Sequence, residues 1–297
     1  MDPRTSAIAS AVRRARTTHE KLEVLRGAYD GSVCVLVTCG PSLGDLDPAL
    51  LRAQLSGIMT IAVKQAVEVV LDEADFLCFN SFNVARYETG AARPIRIYGA
   101  EPTGRVPQLN RCDLRLPHAV TTSDLRTSLA ARQNFDDYLL SATPVRPWGP
   151  GIVYEIGMYL ALHLGIKELI TVGWDIANPK GNNTHFYDPQ TGDQFFDRGR
   201  SDAYRLVGVR RHLPAPLRDG MRWTRAVISH RTGRLYNRTT MVPGEAEVVA
   251  SSTKQAAAWL RTQGVELTVV SPTSMVDPAV QRLSYDELWD RLAAARQ

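Results

Sequence analysis

The sequence predicts an α/β protein built on a parallel, doubly wound sheet, and three observations carry that expectation. Runs such as Val33–Thr38 and Ile58–Val63 are short, continuous and apolar, the mark of strands buried on both faces. Helical spacing alternates with these runs, as in strand–helix–strand crossover units. Glycine and proline turns follow several of them, at the strand ends where such sheets hold ligands.

Residues 5–28 read as a basic amphipathic helix with Ile8, Val12, Leu22 and Leu25 on or near one face. Packing or a homo-oligomer contact is its expected use, ahead of membrane binding. Strand Val33–Thr38 leads into Gly40-Pro41 and a short helix carrying Leu43, Leu46, Leu50 and Leu51. Strand Ile58–Val63 leads to helix Gln65–Leu71, then to strands Asp75–Phe79 and Ile95–Tyr98. Residues 100–125, with Pro102, Pro107 and Pro117, form a loop or cover. A helix over 126–142 ends before Pro144; Gly149-Pro150-Gly151 opens helix Ile152–Leu164, and Gly165 closes it. Strand Leu169–Gly173 runs into Trp174-Asp175 and a polar loop, Asn178–Asp188.

Residues 189–245 are the least regular and carry Arg198, Arg200, Arg205, Arg210, Arg211 and Arg218, with a glycine-turn hairpin expected over 225–237. Helix Thr253–Thr262, strand Val265–Val270 and helix Tyr285–Ala295 follow. With no internal repeat or low-complexity linker, the expectation is a single domain over 1–297, with 189–245 as an irregular, arginine-rich cover.

Composition excludes several classes. The 297 residues suffice for a sizeable core, and 44% hydrophobic with 22% charged is ordinary for a globular protein. A net charge of +4, from 35 basic and 31 acidic residues, is too mild to make nucleic acid the main partner. Arginine greatly outnumbers lysine, which suits anionic substrates but also follows from a GC-rich genome. Cys34, Cys39, Cys78 and Cys112 form no C-x-x-C pair, so neither a zinc site nor a disulfide framework is indicated. Cys34 and Cys78 sit in apolar runs and read as small buried hydrophobes. No signal peptide and no apolar run of roughly 20 residues is seen. The expected setting is cytoplasmic, away from membranes.

Four places are candidates for chemistry. Gly40-Pro41-Ser42-Leu43-Gly44 directly follows a buried strand, where glycine lets a ligand approach and a following helix N-terminus favours phosphate. It matches neither G-x-G-x-x-G nor the Walker A pattern, and an ordinary strand-to-helix turn also uses Gly and Pro. Gly149-Pro150-Gly151 is a second glycine-lined helix start, read either as an anion site or as a structural entry turn. Asp175 stands at the carboxyl end of a strand, with His185 and Tyr187 on the loop behind it. Histidine suits proton transfer near neutral pH and tyrosine can donate to phosphate; His185 also reads as a surface-loop residue. Lys64, just past the second strand, offers a cation to a phosphate or is a solvated lysine at a helix start. His163 reads as packing, and His19, His118, His212 and His230 lack metal-site spacing. No metal or resident cofactor is expected.

Taken together, Val35–Leu43, Gly151–Leu164, Leu169–Asp175 and Ser251–Ser274 resemble the bacterial sialyltransferases of the Cst type (glycosyltransferase family 42). They also resemble the related domain-of-unknown-function 115 proteins, which include motility-associated glycosylation factors and an archaeal pterin pyrophosphokinase. The family order appears here as Gly40–Leu43, Ala62-Val63-Lys64-Gln65-Ala66, Gly149–Val153, Ala161–Asp175 and Ser271-Pro272-Thr273-Ser274, with Leu162–Asp175 the most specific stretch. Residues 85–145 and 189–245 fall outside it.

The resemblance implies a Rossmann-like fold, a nucleotide-sugar donor and metal-free transfer. It places Cys39, Gly40, Pro41 and Ser42 along the nucleotide and Gly149, Pro150 and Gly151 against the donor sugar and phosphate, and it adds Ser274 to the nucleotide-binding set. The chain departs from the family at defined positions. Cys39 and Lys64 each stand where the sialyltransferases carry Asn, and Ala177 replaces the first phosphate-holding tyrosine. His185 stands approximately at the second, and Val248, Val249 and Ala250 occupy the region of the histidine base. These departures favour a UDP-sugar over CMP-sialic acid, with Lys64 and the arginine-rich segment suited to a second phosphate.

The leading expectation is a metal-independent glycosyltransferase acting on a small soluble acceptor such as a metabolite or nucleobase. Lys64 and the helix start at Gly151 would stabilise the departing phosphate, and Asp175 or His185 would take the acceptor proton. A Mg-dependent phosphoryl or pyrophosphoryl transferase using ATP, with Asp175 and Asp188 near the metal, is a second expectation. A non-catalytic nucleotide-binding module is a third.

Overall fold

β-Branched and aliphatic runs form the centre of the sheet. In a computed structural model, β1 (Val33–Val37), β2 (Met59–Val63), β3 (Phe76–Asn80), β4 (Ile95–Gly99), β5 (Leu114–Leu116), β6 (Glu168–Val172), β7 (Glu266–Val270) and β8 (Gln281–Arg282) make one sheet. The structure describes residues 3–80, 87, 89–99, 112–119, 125–149, 151–176 and 245–296. The strand order is β5-β4-β3-β2-β1-β6-β7-β8, and every pairing is parallel. The chain therefore builds outward from β1 to β5, returns beside β1 with β6, and builds outward the other way. That is a Rossmann-like α/β fold whose order reverses between β1 and β6.

Helices cover both faces. On one lie α1 (Pro3–Arg14), α2 (Thr18–Leu25), a π-helical turn Val153–Gly157 continuing into α6 (Met158–His163), and α7 (Glu245–Thr262). On the other lie α3 (Pro48–Leu55), α4 (Ala66–Val70) and α8 (Tyr285–Ala295). Successive β2 side chains go to opposite layers, Ile61 and Val63 to the first and Ala62 to the second, as the two-residue strand period requires. This is why the central strands read as unbroken apolar runs. Trp259 of α7 stacks on Phe135 with ring centroids 5.2 Å apart and donates Nε1–H to Asp136 at 2.8 Å.

Several expected helices are cut differently. The helix expected over 5–28 is two, because Thr17 and Glu20 form a reciprocal capping box that starts α2 afresh. The helix expected over 126–142 is only α5 (Leu129–Arg132) between two 3-10 turns, and Gln133 ends it in the left-handed conformation at φ 57. The segment after Gly40 is a 3-10 turn, Pro41–Asp45, before α3 starts behind its Asp47 cap. α7 begins well before Thr253, its first turns disguised by Val248 and Val249. β5 and β8 are too short to give a periodic signal. The hairpin and cover expected within 189–245 fall outside the described residues, except Glu245, which opens α7.

Cys34 and Cys78 are buried, and burial pushes both thiols up. His163, at the end of α6, is also buried; Nε2 lies 2.7 Å from the Leu22 carbonyl oxygen, which can only accept, so Nε2 carries the proton. Burial lowers its pKa below the usual 6.5. The unfolded chain then binds the extra proton first, so the neutral ring's contribution is complete above pH 6.5 and is lost as pH falls from there through the folded-state pKa. Urea midpoints of His163→Gln and the parent should therefore show a shallower acid-side decline in the variant. Parallel curves would contradict a buried neutral imidazole.

Candidate functional site

The carboxyl ends of β1, β6 and β7 are tied together at one carboxylate. Asp175, three residues past β6, accepts the Ser42 amide at 2.7 Å through Oδ2 and the Ser42 hydroxyl at 2.8 Å through Oδ1. The Ser271 hydroxyl, just past β7, also donates to Oδ1. Around this centre the Thr38 hydroxyl donates to the Gly173 carbonyl, and the Gly40 amide donates to the same oxygen at 2.9 Å. Tyr285 of α8 donates its hydroxyl to the Ser42 carbonyl at 3.0 Å; burial, then Asp45 and Asp175, raise its pKa.

Glycine is needed here for space. A Cβ on Gly40 would lie 2.8 Å from Asp175 Cβ and closer still to Asp175 Oδ2 and the Gly173 oxygen. Gly173 takes φ +71, and a Cβ there would meet the Thr38 oxygen at 2.8 Å. The two turns that flank the reversal of strand order therefore pack backbone to backbone.

The Gly40 loop was expected to cradle phosphate, and its amides already have partners within the protein. Gly40 N–H goes to Gly173, Ser42 N–H to Asp175 and Leu43 N–H to Gly40 O at 3.1 Å, while Pro41 has none. The helix expected behind them is a 3-10 turn of five residues. The loop brings backbone close to the crevice but presents no unspent amide from 40 to 43. Cys39 is buried and donates its thiol to the Val63 carbonyl at 3.0 Å, tying the ends of β1 and β2. Ser274 is buried too; its hydroxyl accepts the Ile176 amide at 3.0 Å and fastens the loop after β7 to that after β6.

The second glycine turn differs. Gly151, exposed and at φ +105, has nothing within 4 Å of a Cβ, and the helical run opens behind it with Glu155 N–H bonding to Gly151 O at 3.1 Å. The amides of Ile152, Val153 and Tyr154 have no earlier carbonyl within the helix to bond. Gly157 packs on Leu36 of β1. From that contact Gly151 lies about 9 Å along the helix and Gly40 about 13 Å along the strand, so both reach the same sheet edge. Pro150 between the glycines lies outside the described residues, as do His185 and Tyr187.

Lys64, half-buried, takes φ 50, an unusual conformation for a side-chain-bearing residue, and its ammonium has no partner among the described residues. Gln65 beside it is only 5% exposed, yet neither atom of its side-chain amide has a hydrogen-bond partner among the described residues. A buried unpaired amide is costly, which marks the position as one that a bound polar group would complete.

The sequence singled out Asp175 but not several residues that hold its surroundings in place. Ser271 is the first residue past a strand, so the rule that picked Asp175 could have found it. Arg282 was invisible in the sequence: although exposed, it donates to the carbonyls of Ser271, Ser274 and Val276 at 3.0, 2.7 and 2.7 Å and holds that loop in shape. Nor does any motif announce the buried pair of Arg146 (2% exposed) and Glu155 (3%). Glu155 also accepts the Gly149 amide at 3.4 Å, and Arg146 fills the space a Cβ on Gly99 would need, 2.8 Å from its Cδ. Glu155 lies in the π-helical turn, a distortion often found at functional sites.

No helix among the described residues is long and apolar enough to cross a membrane. In comparison with known proteins, the chain matches no family model, no curated protein and no solved structure.

Proposed function

We propose that the protein is a glycosyltransferase that takes a sugar from a nucleotide-sugar donor, a UDP-sugar ahead of CMP-sialic acid, and passes it to a small soluble acceptor without a metal. Convergence carries the reading. Gly40–Ser42, Lys64-Gln65, Gly149 with Gly151, Gly173–Asp175 and Ser271–Ser274 are far apart in sequence, yet all belong to one carboxyl edge around the reversal of strand order. Open α/β sheets bind nucleotides in that crevice, and the same segments carry the resemblance to sialyltransferases.

In this reading the bond from the anomeric carbon to the donor phosphate breaks while a bond to the acceptor forms. Lys64, whose charge is unpaired among the described residues, and the first amides of the helical run behind Gly151 meet the departing phosphate. Gln65 turns its amide to a polar group of the donor. Asp175 keeps its bonds to Ser42 and Ser271 and holds the floor of the crevice, and the acceptor proton goes to His185.

A thermal-shift series with UDP-, CMP- and GDP-sugars and ATP, each with EDTA or Mg²⁺, tests the proposal. Stabilisation by a nucleotide sugar in EDTA is the expected result. Stabilisation by ATP alone, and only with Mg²⁺, would overturn it in favour of phosphoryl or pyrophosphoryl transfer. Binding without turnover across acceptors would leave a nucleotide-binding module. Lys64→Ala should weaken UDP-sugar binding about tenfold, the loss of one charge-assisted contact; unchanged affinity would remove Lys64 from the site.

A further inference from the structure

The opposite edge of the sheet holds a cavity of about 430 Å³, within the span of small-molecule sites at roughly 300–1,000 Å³. Val33, Met59, Asp75 and Lys167 line it at or just before the starts of β1, β2, β3 and β6, and Arg4 and Thr5 of α1 close one side. Strand starts and the switch-point crevice lie at opposite ends of a parallel sheet, so this cavity is separate from the proposed donor site.

Some of its polar groups are already engaged. Asp75 accepts the Thr5 hydroxyl at 2.6 Å and the Thr60 amide at 2.9 Å. With the Thr5 proton spent there, the Tyr29 hydroxyl donates to Thr5 Oγ1, also at 2.6 Å. The Arg4 guanidinium lies 5.1 Å from the centre of the Tyr29 ring, so the aromatic wall already accommodates a cation. Three charged lining groups are not engaged. Among the described residues, Lys167, Asp30 and Glu73 have no hydrogen-bond or ion-pair partner for their side chains. Ala294 and Ala295, at the end of α8, and Gly57, just past α3, add helix carboxyl ends to the lining, where the partial charge is negative.

One free cation and two free carboxylates facing a common cavity call for a ligand with one anionic and two cationic groups. We propose that the cavity is a second binding site for a basic amino acid, its carboxylate on Lys167 and its two cationic nitrogens on Asp30 and Glu73.

Isothermal titration of the full chain with L-arginine, agmatine and L-glutamate tests this. Saturable arginine binding is expected, with agmatine, which lacks the carboxylate, about tenfold weaker. Lys167→Met should erase that difference, while Asp30→Asn and Glu73→Gln should each weaken arginine about tenfold. All three side chains are exposed or half-buried, so the variants should keep the parent's thermal midpoint. Absence of saturable arginine binding, glutamate binding as tightly as arginine, or arginine affinity unchanged in all three variants would each overturn the proposal. None of these results depends on whether a nucleotide sugar binds at the other edge.

Discussion

Gly40→Ala is expected to lower stability by about 3 kcal/mol, the scale of an overpacked interior site, and to abolish nucleotide-sugar binding. The added methyl would collide with the Gly173 carbonyl and the Asp175 side chain, neither of which can retreat. Asp175 is held by Ser42 and Ser271, and the Gly173 oxygen accepts from both Gly40 and Thr38. Gly151→Ala is the matched control. It is strained by its φ of +105 but meets nothing within 4 Å, so it should cost about 1 kcal/mol. Urea unfolding of the two variants separates the cases; equal losses would mean that crowding at the β1–β6 crossover does not govern Gly40.

Glu155→Leu is expected to cost about 3–5 kcal/mol, because it removes the carboxylate that the buried Arg146 guanidinium contacts. Arg146→Met should cost a similar amount for the mirrored reason. The double variant, Arg146→Met with Glu155→Leu, removes both desolvated charges and should be more stable than either single variant. A strongly negative coupling energy in that cycle is the expected readout, and additive losses would contradict a mutually dependent pair. Since apolar substitutes can match such a pair in stability, its presence beside the Gly149 turn fits a role in shaping that turn through the Glu155 bond to the Gly149 amide.

The two levels of organisation were unequally legible in the sequence. Strands such as Val33–Val37 and Met59–Val63 are buried on both faces, so every residue reports the same environment and the run stands out. Helices broken by side-chain caps were harder to read, because Thr17 and Glu20 act as a capping box only once the chain has turned there. At the candidate site, position relative to a strand end identified Asp175 and Lys64. What these residues touch was not legible. The partners of Asp175 lie 133 and 96 residues away, and no local pattern specifies a bond across that distance. Arg146 and Glu155 are separated by a glycine- and proline-containing stretch that hides their spacing, and that the Gln65 amide lacks a partner among the described residues is visible only when its surroundings are known.

The same long separations bear on how the molecule assembles. Closing a loop costs chain entropy before the contact returns anything, and the bonds to Asp175 join residues 133 and 96 positions apart. They cannot form until β1, β6 and β7 are side by side, which places the crevice late in folding, after local hairpin-free units such as β1–α3–β2 have condensed. Conversely, the Ser42 amide cannot be released by fraying at a terminus, since its acceptor, itself just past β6, is also held by Ser271 beyond β7. Its exchange with solvent is therefore coupled to separation of the central strands, and the carboxyl edge is a late-forming, cooperatively locked part of the protein.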